Sequence, residues 1–534
     1  MAMSTNIDLN DVQGNIVKGY GHFGYPKARY IFYRIHDEHA GREFVQGICP
    51  LVTTGVPWEL TAQSGADNAP PSVTTNIAFT YQGLKMLGVP RKSLQSFPEE
   101  FAMGMKQRKD ILGDDHASAP ANWDNIWQGE AVHIWISING KKEEDLEARY
   151  QQIVTLVANS NNGVEQISGH RGPDGATELP YQSASAIYKN GIPQASEHFG
   201  YRDGISDPYF SAASGNPDRV IGGGKPTHGD PATKAGWEPL ETGEFILGHR
   251  DEAFETPIAP IPPLLAFNGT FMIYRKLHEN VGSFNRYLDE VGAKYPDGKE
   301  MLAAKFSGRW RASGAPITLF PTEADADTFN EKMTAAEAKL YTEQPNPSKE
   351  TVAEYTALRK QLVAFNYNND LNGARCPLGA HTRRINPRGA LEEGKDAFND
   401  NPGALVNRRR ILRRGLPYGE VKDNNQNDGD HGIIFMVINA SISRQFEFVQ
   451  QQWINYGNDF KLANDKDPLL GNHNVNTDGK ADGRMMLEAD PKGNKPPFFC
   501  SAMPRFVETR GGDYFFIPSL TALIMLAKGI VDPT

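Results

Sequence analysis

Three cysteines in 534 residues leave little room for cysteine chemistry. Cys49, Cys376 and Cys500 lie far apart and no CxxC or CxxCH occurs, which excludes zinc ribbons, thioredoxin-like redox pairs and covalent c-type haem attachment. So sparse and odd a count fits a reducing compartment or simply the absence of a disulfide framework. Positive charge is also in deficit. Against 65 Asp and Glu stand 55 Lys and Arg, a formal net charge of -10, so the chain lacks the basic surface that nonspecific nucleic-acid binding needs. Long apolar runs are missing too. The most apolar late stretch, Leu520 to Ala527, is far short of the roughly 18 residues of a spanning helix. The N-terminal MAMSTNIDLNDVQGN has neither the basic nor the apolar region of a signal peptide. The expectation is a soluble cytoplasmic protein with no membrane span and no nucleic-acid partner.

What is present describes an ordinary globular chain: 39% hydrophobic, 10% aromatic and 22% charged residues. Its length exceeds what one core usually supports, so two domains are expected. Ala28 to Ile35, Asn76 to Tyr81 and Ala131 to Ile138 read as strands from alternation and β-branched or aromatic enrichment. A helix over Glu143 to Ala158 places Leu146, Tyr150, Ile153 and Val157 on one face. After an irregular stretch from about Gly191 to Pro263, strands recur at Gly269 to Arg275 and Gly432 to Asn439. A helix follows each, the second carrying Phe446, Val449 and Trp453. Strand, helix and strand thus recur in both halves without a βαβ rhythm, which indicates an α+β fold with antiparallel sheets. Residues 322–367 read as an inserted helical pair, capped by Thr322 and Ser348 with charged outer faces, and are expected to be a solvated appendage.

Two motifs fail on inspection. Gly222-Gly-Gly-Lys225 lacks the Ser/Thr and glycine spacing of a phosphate loop, and the acidic loop at Asp423 to Asp430 has Ile434 where a calcium loop needs Glu. Three others stay open. Gly200-Tyr-Arg-Asp203-Gly204 is either an ordinary Asp-Gly turn or a carboxylate presented at a loop tip for proton transfer. Asn407 to Gly419 holds five arginines in seven residues, either a solvated basic face or a strand that turns one guanidinium inward toward an anion. In Cys376 to Arg388 (CPLGAHTRRINPR), His381 stands among Arg383, Arg384 and Arg388, as an incidental imidazole or as a metal ligand beside an anionic group.

Together these stretches resemble the dye-decolourising peroxidases, a haem peroxidase family. The likeness rests on Gly200–Gly204 as the GxxDG signature, Gly379 to Arg388 as the proximal-histidine segment, and Ile411-Leu-Arg413-Arg-Gly-Leu-Pro-Tyr418 as the distal-arginine segment. Gly243 to Gly248, Asn268 to Arg275 and Asp11 to Asn15 add to it, so it covers roughly residues 8–528 and is similar to the larger, elaborated members. The resemblance implies two ferredoxin-like domains, residues 1–215 carrying the GxxDG loop and 216–534 binding most of one non-covalent haem b. It implies His381 as axial iron ligand, Asp203 and Arg413 as catalytic residues, and Arg383, Arg384 and Gly204 as haem contacts. Arg384 is expected to pair with a propionate and Glu447 to accept from the second nitrogen of His381. The implied activity is reduction of hydrogen peroxide with one-electron oxidation of dyes, phenolic compounds or Mn(II), by a monomer or homodimer and favoured at acidic pH. The runner-up is a haem-handling protein that releases or stores iron, which would need His381 but not Asp203 with Arg413. Two departures stand out: His381 and Arg413 are 32 positions apart, with Leu391 to Val406 as an apparent insertion that leaves Arg410 and Arg414 as alternatives, and His249 stands where a tyrosine is expected.

Overall fold

The anticipated strands form, with others the pattern did not announce. In chain order they are β1 (Lys27–Ile35), β2 (Val73–Phe79), β3 (Ile134–Gly140), β4 (Val164–Gln166), β5 (Gln182–Ser185), β6 (Thr270–Glu279), β7 (Leu412–Tyr418), β8 (Gly432–Asn439) and β9 (Val507–Ile517). The computed structural model describes residues 7–21, 24–58, 69–213, 216–344, 346–392, 402–490 and 494–532. The insertion expected at Leu391 to Val406 lies partly outside these residues, as do Pro345 and the first six positions.

Among the described residues the nine strands make one antiparallel sheet in the order β7-β8-β6-β9-β2-β3-β1-β4, with β5 also on β1. Two α+β units, β1–β5 and β6–β9, meet where β9 and β2 pair at Phe516 and Phe79. This is the ferredoxin-like, antiparallel architecture expected, with the two sheets fused edge to edge. β3 is buried along its whole length, and its alternating Ile134, Ile136 and Ile138 enter a core shared with Phe271, Ile273 and Phe515 from the other half.

Helices cover this sheet. Helix α1 (Glu38–Ile48) starts at Asp37, whose carboxylate accepts from Ala40 N at 2.9 Å, and α2 (Glu143–Asn159) opens with Glu143, Glu144 and Asp145 against its positive end. Helix α3 (Val281–Gly292) follows β6. The inserted pair is α4 (Glu323–Thr342) and α5 (Lys349–Gln361), with Thr322 and Ser348 capping as anticipated. The short α6 (His381–Ile385) carries the histidine, and α7 (Leu520–Lys528) ends the fold. Residues Ser443–Ile454 after β8 are helical with wide, π-type turns.

The chain ends brace the two units. Buried Gln13 donates to the carbonyls of Ile77 and Pro518, each at 2.9 Å, and accepts from Ile77 N at 3.0 Å. Asp11 receives the amides of Leu520 and Thr521, so α7, which packs on α1, lies on the first unit although its sequence follows the second. No helix among the described residues is long and apolar enough to cross a membrane.

Candidate active site

Pro377 and Pro387 confine α6 to one short turn, with His381 at its first position. The His381 Nδ1 lies 2.9 Å from Asp467 Oδ2. Asp467 is fully buried, and its other oxygen accepts from the amides of Leu469 (2.9 Å) and Leu470 (2.8 Å). Burial works to raise this carboxyl, but His381, Arg384 and the Leu470 amide outweigh it and hold it below the ordinary range. An ionised Asp467 assigns the proton to Nδ1 and leaves the Nε2 lone pair free for a ligand. The expected acceptor was Glu447. That residue instead receives Arg108 (2.9 and 2.5 Å) and the hydroxyl of Tyr514 (2.7 Å), because the helical turns after β8 place it outside the cavity, between Arg108 and β9.

The two arginines next to His381 are spent elsewhere. Arg383 donates to Cys376 O at 2.7 Å and pairs with Asp370 at 3.4 Å. Arg384 donates to the carbonyls of Gly379, Trp453, Tyr456 and Asp465, between 2.8 and 3.1 Å. Both are almost wholly buried and neither lines the cavity that His381 faces, so the expected propionate contact of Arg384 has no room to form. Of the arginines that do line it, Arg309, Arg388 and Arg410 form no ion pair among the described residues, whereas Arg202, Arg275, Arg413 and Arg505 each meet a carboxylate. Arg388 (φ 51°) turns back after Pro387 and donates to Val363 O (2.7 Å) and Phe365 O (2.5 Å). Arg309 and Arg410 likewise meet backbone carbonyls. Burial with no paired carboxylate among the described residues pushes Arg388 down to about 9 and the other two to about 10.

Opposite stands the Asp203 loop. Gly200 (φ 91°) and Gly204 (φ 68°) take left-handed conformations, and Asp203 N bonds to Ala195 O at 2.8 Å, closing the turn. Arg413, on β7, donates to Asp203 Oδ1 at 2.5 Å while its own amide meets Asp207 at 3.2 Å. Its neighbour Arg414 points the other way, to Asp207 (2.7 Å) and the carbonyls of Asn15 and Ile16. Of the three candidate arginines, it is thus Arg413 that meets Asp203. The helical insert is more than an appendage: Glu337 of α4 pairs with Arg202, and Arg359 of α5 donates to Gly204 O (3.0 Å) and Ile205 O (3.1 Å). His249 bonds Asn268 at 2.8 Å, stacks on Phe267 and does not line the cavity.

One cavity of about 250 Å³ brings His381, Asp203, Gly204 and Arg413 together, with Ile385, Ile411, Phe435, Phe446, Val449 and Leu469 among its apolar walls. Among the described residues no three His, Cys, Asp or Glu side chains converge as a metal-ion site. His381 therefore offers a single nitrogen, and the remaining ligands of an iron would come from a macrocycle. Apolar walls suit a porphyrin face, and buried guanidiniums without carboxylate partners suit propionates. The donor set fits haem. Asp467, Arg309, Glu337 and Arg359 carry no signal in the sequence, whereas Arg388 and Arg410 lie inside motifs already quoted.

Residues 11–173 match the family described as the DyP dimeric alpha+beta barrel domain. The chain is 26% identical to a dye-decolorizing peroxidase of Mycena epipterygia, over 98% of this chain and 87% of that one. It is 27% identical to a dye-decolorizing peroxidase of Mycetinis scorodonius, over 97% and 88%. The solved structure of an ancestral D-type dye decolorizing peroxidase superposes with a TM-score of 0.68 at 26% identity, covering 97% of this chain and 98% of that one.

Proposed function

Because this chain belongs to the dye-decolourising peroxidase family, we propose that it reduces hydrogen peroxide at one non-covalent haem b held in this cavity and oxidises bulky dyes and phenolic compounds by one-electron steps. The observation that carries the reading is the meeting in one cavity of a histidine locked by Asp467, a carboxylate–guanidinium pair and three arginines lacking carboxylate partners. When bound, haem supplies the iron at which peroxide is activated and a store of oxidising equivalents.

The residues then divide the labour. His381 would hold the iron through Nε2, with the ring fixed and made a better donor by Asp467 at Nδ1. Arg388, Arg309 and Arg410 would receive the propionates, in place of Arg384. Asp203 would serve as the general acid–base for peroxide in this cavity. Arg413, bonded to Asp203, would hold that carboxylate in place and offer its positive charge to the peroxide oxygens. Arg359 and Glu337 keep the Asp203 turn in place.

Asp203→Asn tests this. We expect haem to stay bound while the stopped-flow reaction with peroxide slows by roughly 10²–10⁴-fold. A variant that reacts at the wild-type rate moves the proton work to Arg413 or water.

A further inference from the structure

A second pair of carboxyls lines the same cavity. Glu279 ends β6, and Glu197 opens the loop that carries Asp203. They are 4% and 9% exposed. The amide of His198 donates to Glu279 Oε2 at 3.2 Å, and those of Phe199 and Tyr201 donate to Glu197, each at 2.7 Å. Neighbouring amides of one loop thus hold the two buried carboxyls together at the cavity wall. Two carboxylates buried this way, with like charge and little solvent, repel each other unless a proton sits on one of them.

Nothing around the pair removes that need. Neither Glu197 nor Glu279 forms an ion pair among the described residues. Of the charged groups facing them, Asp203 bears the same sign, and Arg311 is paired with Glu300. His198 gives Nε2 to Tyr418 O, and burial pushes it down to about 4, so it brings no positive charge at neutral pH. Tyr201 donates its hydroxyl to Ala303 O at 2.7 Å, and burial keeps both it and Tyr418 protonated. Burial, then the charge of Glu197, raise Glu279 well above the ordinary carboxyl range.

We propose that Glu197 and Glu279 share one proton and deliver it into the cavity during the electron-accepting half of the peroxidase cycle. This rests on the peroxidase reading above. Reduction of hydrogen peroxide to two waters consumes two electrons and two protons. Aromatic donors too large to enter a buried cavity lose their electrons and their own protons at the protein surface. The protons that complete water must therefore come from groups inside. In the proposed step the O–H bond of the carboxyl pair breaks, its proton joins the oxygen being reduced, and the pair recovers a proton from solvent.

The test uses haem-loaded protein. Infrared difference spectra should show a protonated-carboxyl stretch at neutral pH in the wild type that is lost in Glu279→Gln. In stopped-flow, Glu279→Gln should slow the donor-dependent phase by about tenfold more than the peroxide-dependent phase. Glu197→Gln, which keeps the shape and an acceptor for the loop amides without the shared proton, should give the same ratio and decides the matter if Glu279→Gln does not fold. Absence of the band in the wild type, or an unchanged ratio of the two phases in the variants, overturns the proposal. A wild type that shows the band but does not react with peroxide overturns the peroxidase reading and this role for the pair together.

Discussion

Two sets of arginines surround His381 and meet opposite fates. Arg383 and Arg384 lie within the first turn after the histidine, where loops folded over α6 present carbonyls and Asp370 to every face of their guanidiniums. Arg388 is only four residues beyond Arg384, yet it turns back beside Arg309 and Arg410 with carbonyls and no carboxylate. All are buried, and all are the same residue type. The first set is saturated and holds protein to protein. The second keeps a positive charge that the chain does not neutralise, and such a charge in a low-dielectric wall calls for an anion from outside.

The comparison can be broken hardest at its centre. His381→Ala removes the one imidazole lining the cavity among the described residues, and haem occupancy should fall by about a hundredfold, read from Soret absorbance per protein. A normal Soret band in that variant removes the assignment on which both sets depend. The sharper experiment opposes one arginine from each. Arg384→Ala should lower unfolding stability by about 3 kcal/mol, because it strands buried carbonyls, while the haem affinity of the folded fraction holds. Arg388→Ala should do the reverse, weakening haem binding about tenfold with a smaller change in melting temperature. If both lose stability and affinity equally, the distinction fails.

Smaller effects are expected further out. Arg359→Ala frees two carbonyls of the Asp203 turn and should slow the peroxide reaction by about threefold to tenfold with haem still bound. An unchanged rate would return the insert to a passive role. On the saturated side, Glu488 accepts the Leu378 amide at 3.0 Å, and burial raises its carboxyl to about 7. Folded protein therefore holds this proton more tightly than unfolded chain does. The stability it contributes is complete below the ordinary carboxyl range and is lost as pH rises through about 7. Glu488→Gln keeps the amide contact without that loss, so its melting temperature should fall less between pH 5 and pH 8, with a gain of about 1 kcal/mol at the upper end.

Much of this was legible in the chain, for a physical reason. The strands at Ala28, Asn76, Gly269 and Gly432 and the helix from Glu143 are set by local periodicity, which one sequence displays. Their ends move by a few residues, as where β3 starts at Ile134 and runs on through Gly140. His381, Asp203 and Arg413 stand in motifs that resemble one family, and the fold brings them to one cavity. Asp467 could not be read in advance, because it lies 86 residues from His381 in an irregular loop and touches it only through tertiary packing. The preference for Arg388 over Arg384 was hidden likewise, since adjacency in sequence says nothing of which guanidinium finds carbonyls. Nor did any local signal announce that Phe79 and Phe516 would pair and fuse the two sheets.

That fusion has a consequence for how the protein is made. β9 is synthesised after every other strand of the sheet but lies inside it, between β6 and β2, and supplies Val507 and Thr509 to the cavity wall. Until residues 507–517 clear the ribosome, the nascent chain carries two half-sheets, each with an unpaired edge open to stray partners. The haem pocket has a missing wall for the same interval. Cofactor loading thus waits for this strand, and a chain cut short before residue 507 would carry His381, Asp203 and Arg413 with nowhere to put haem.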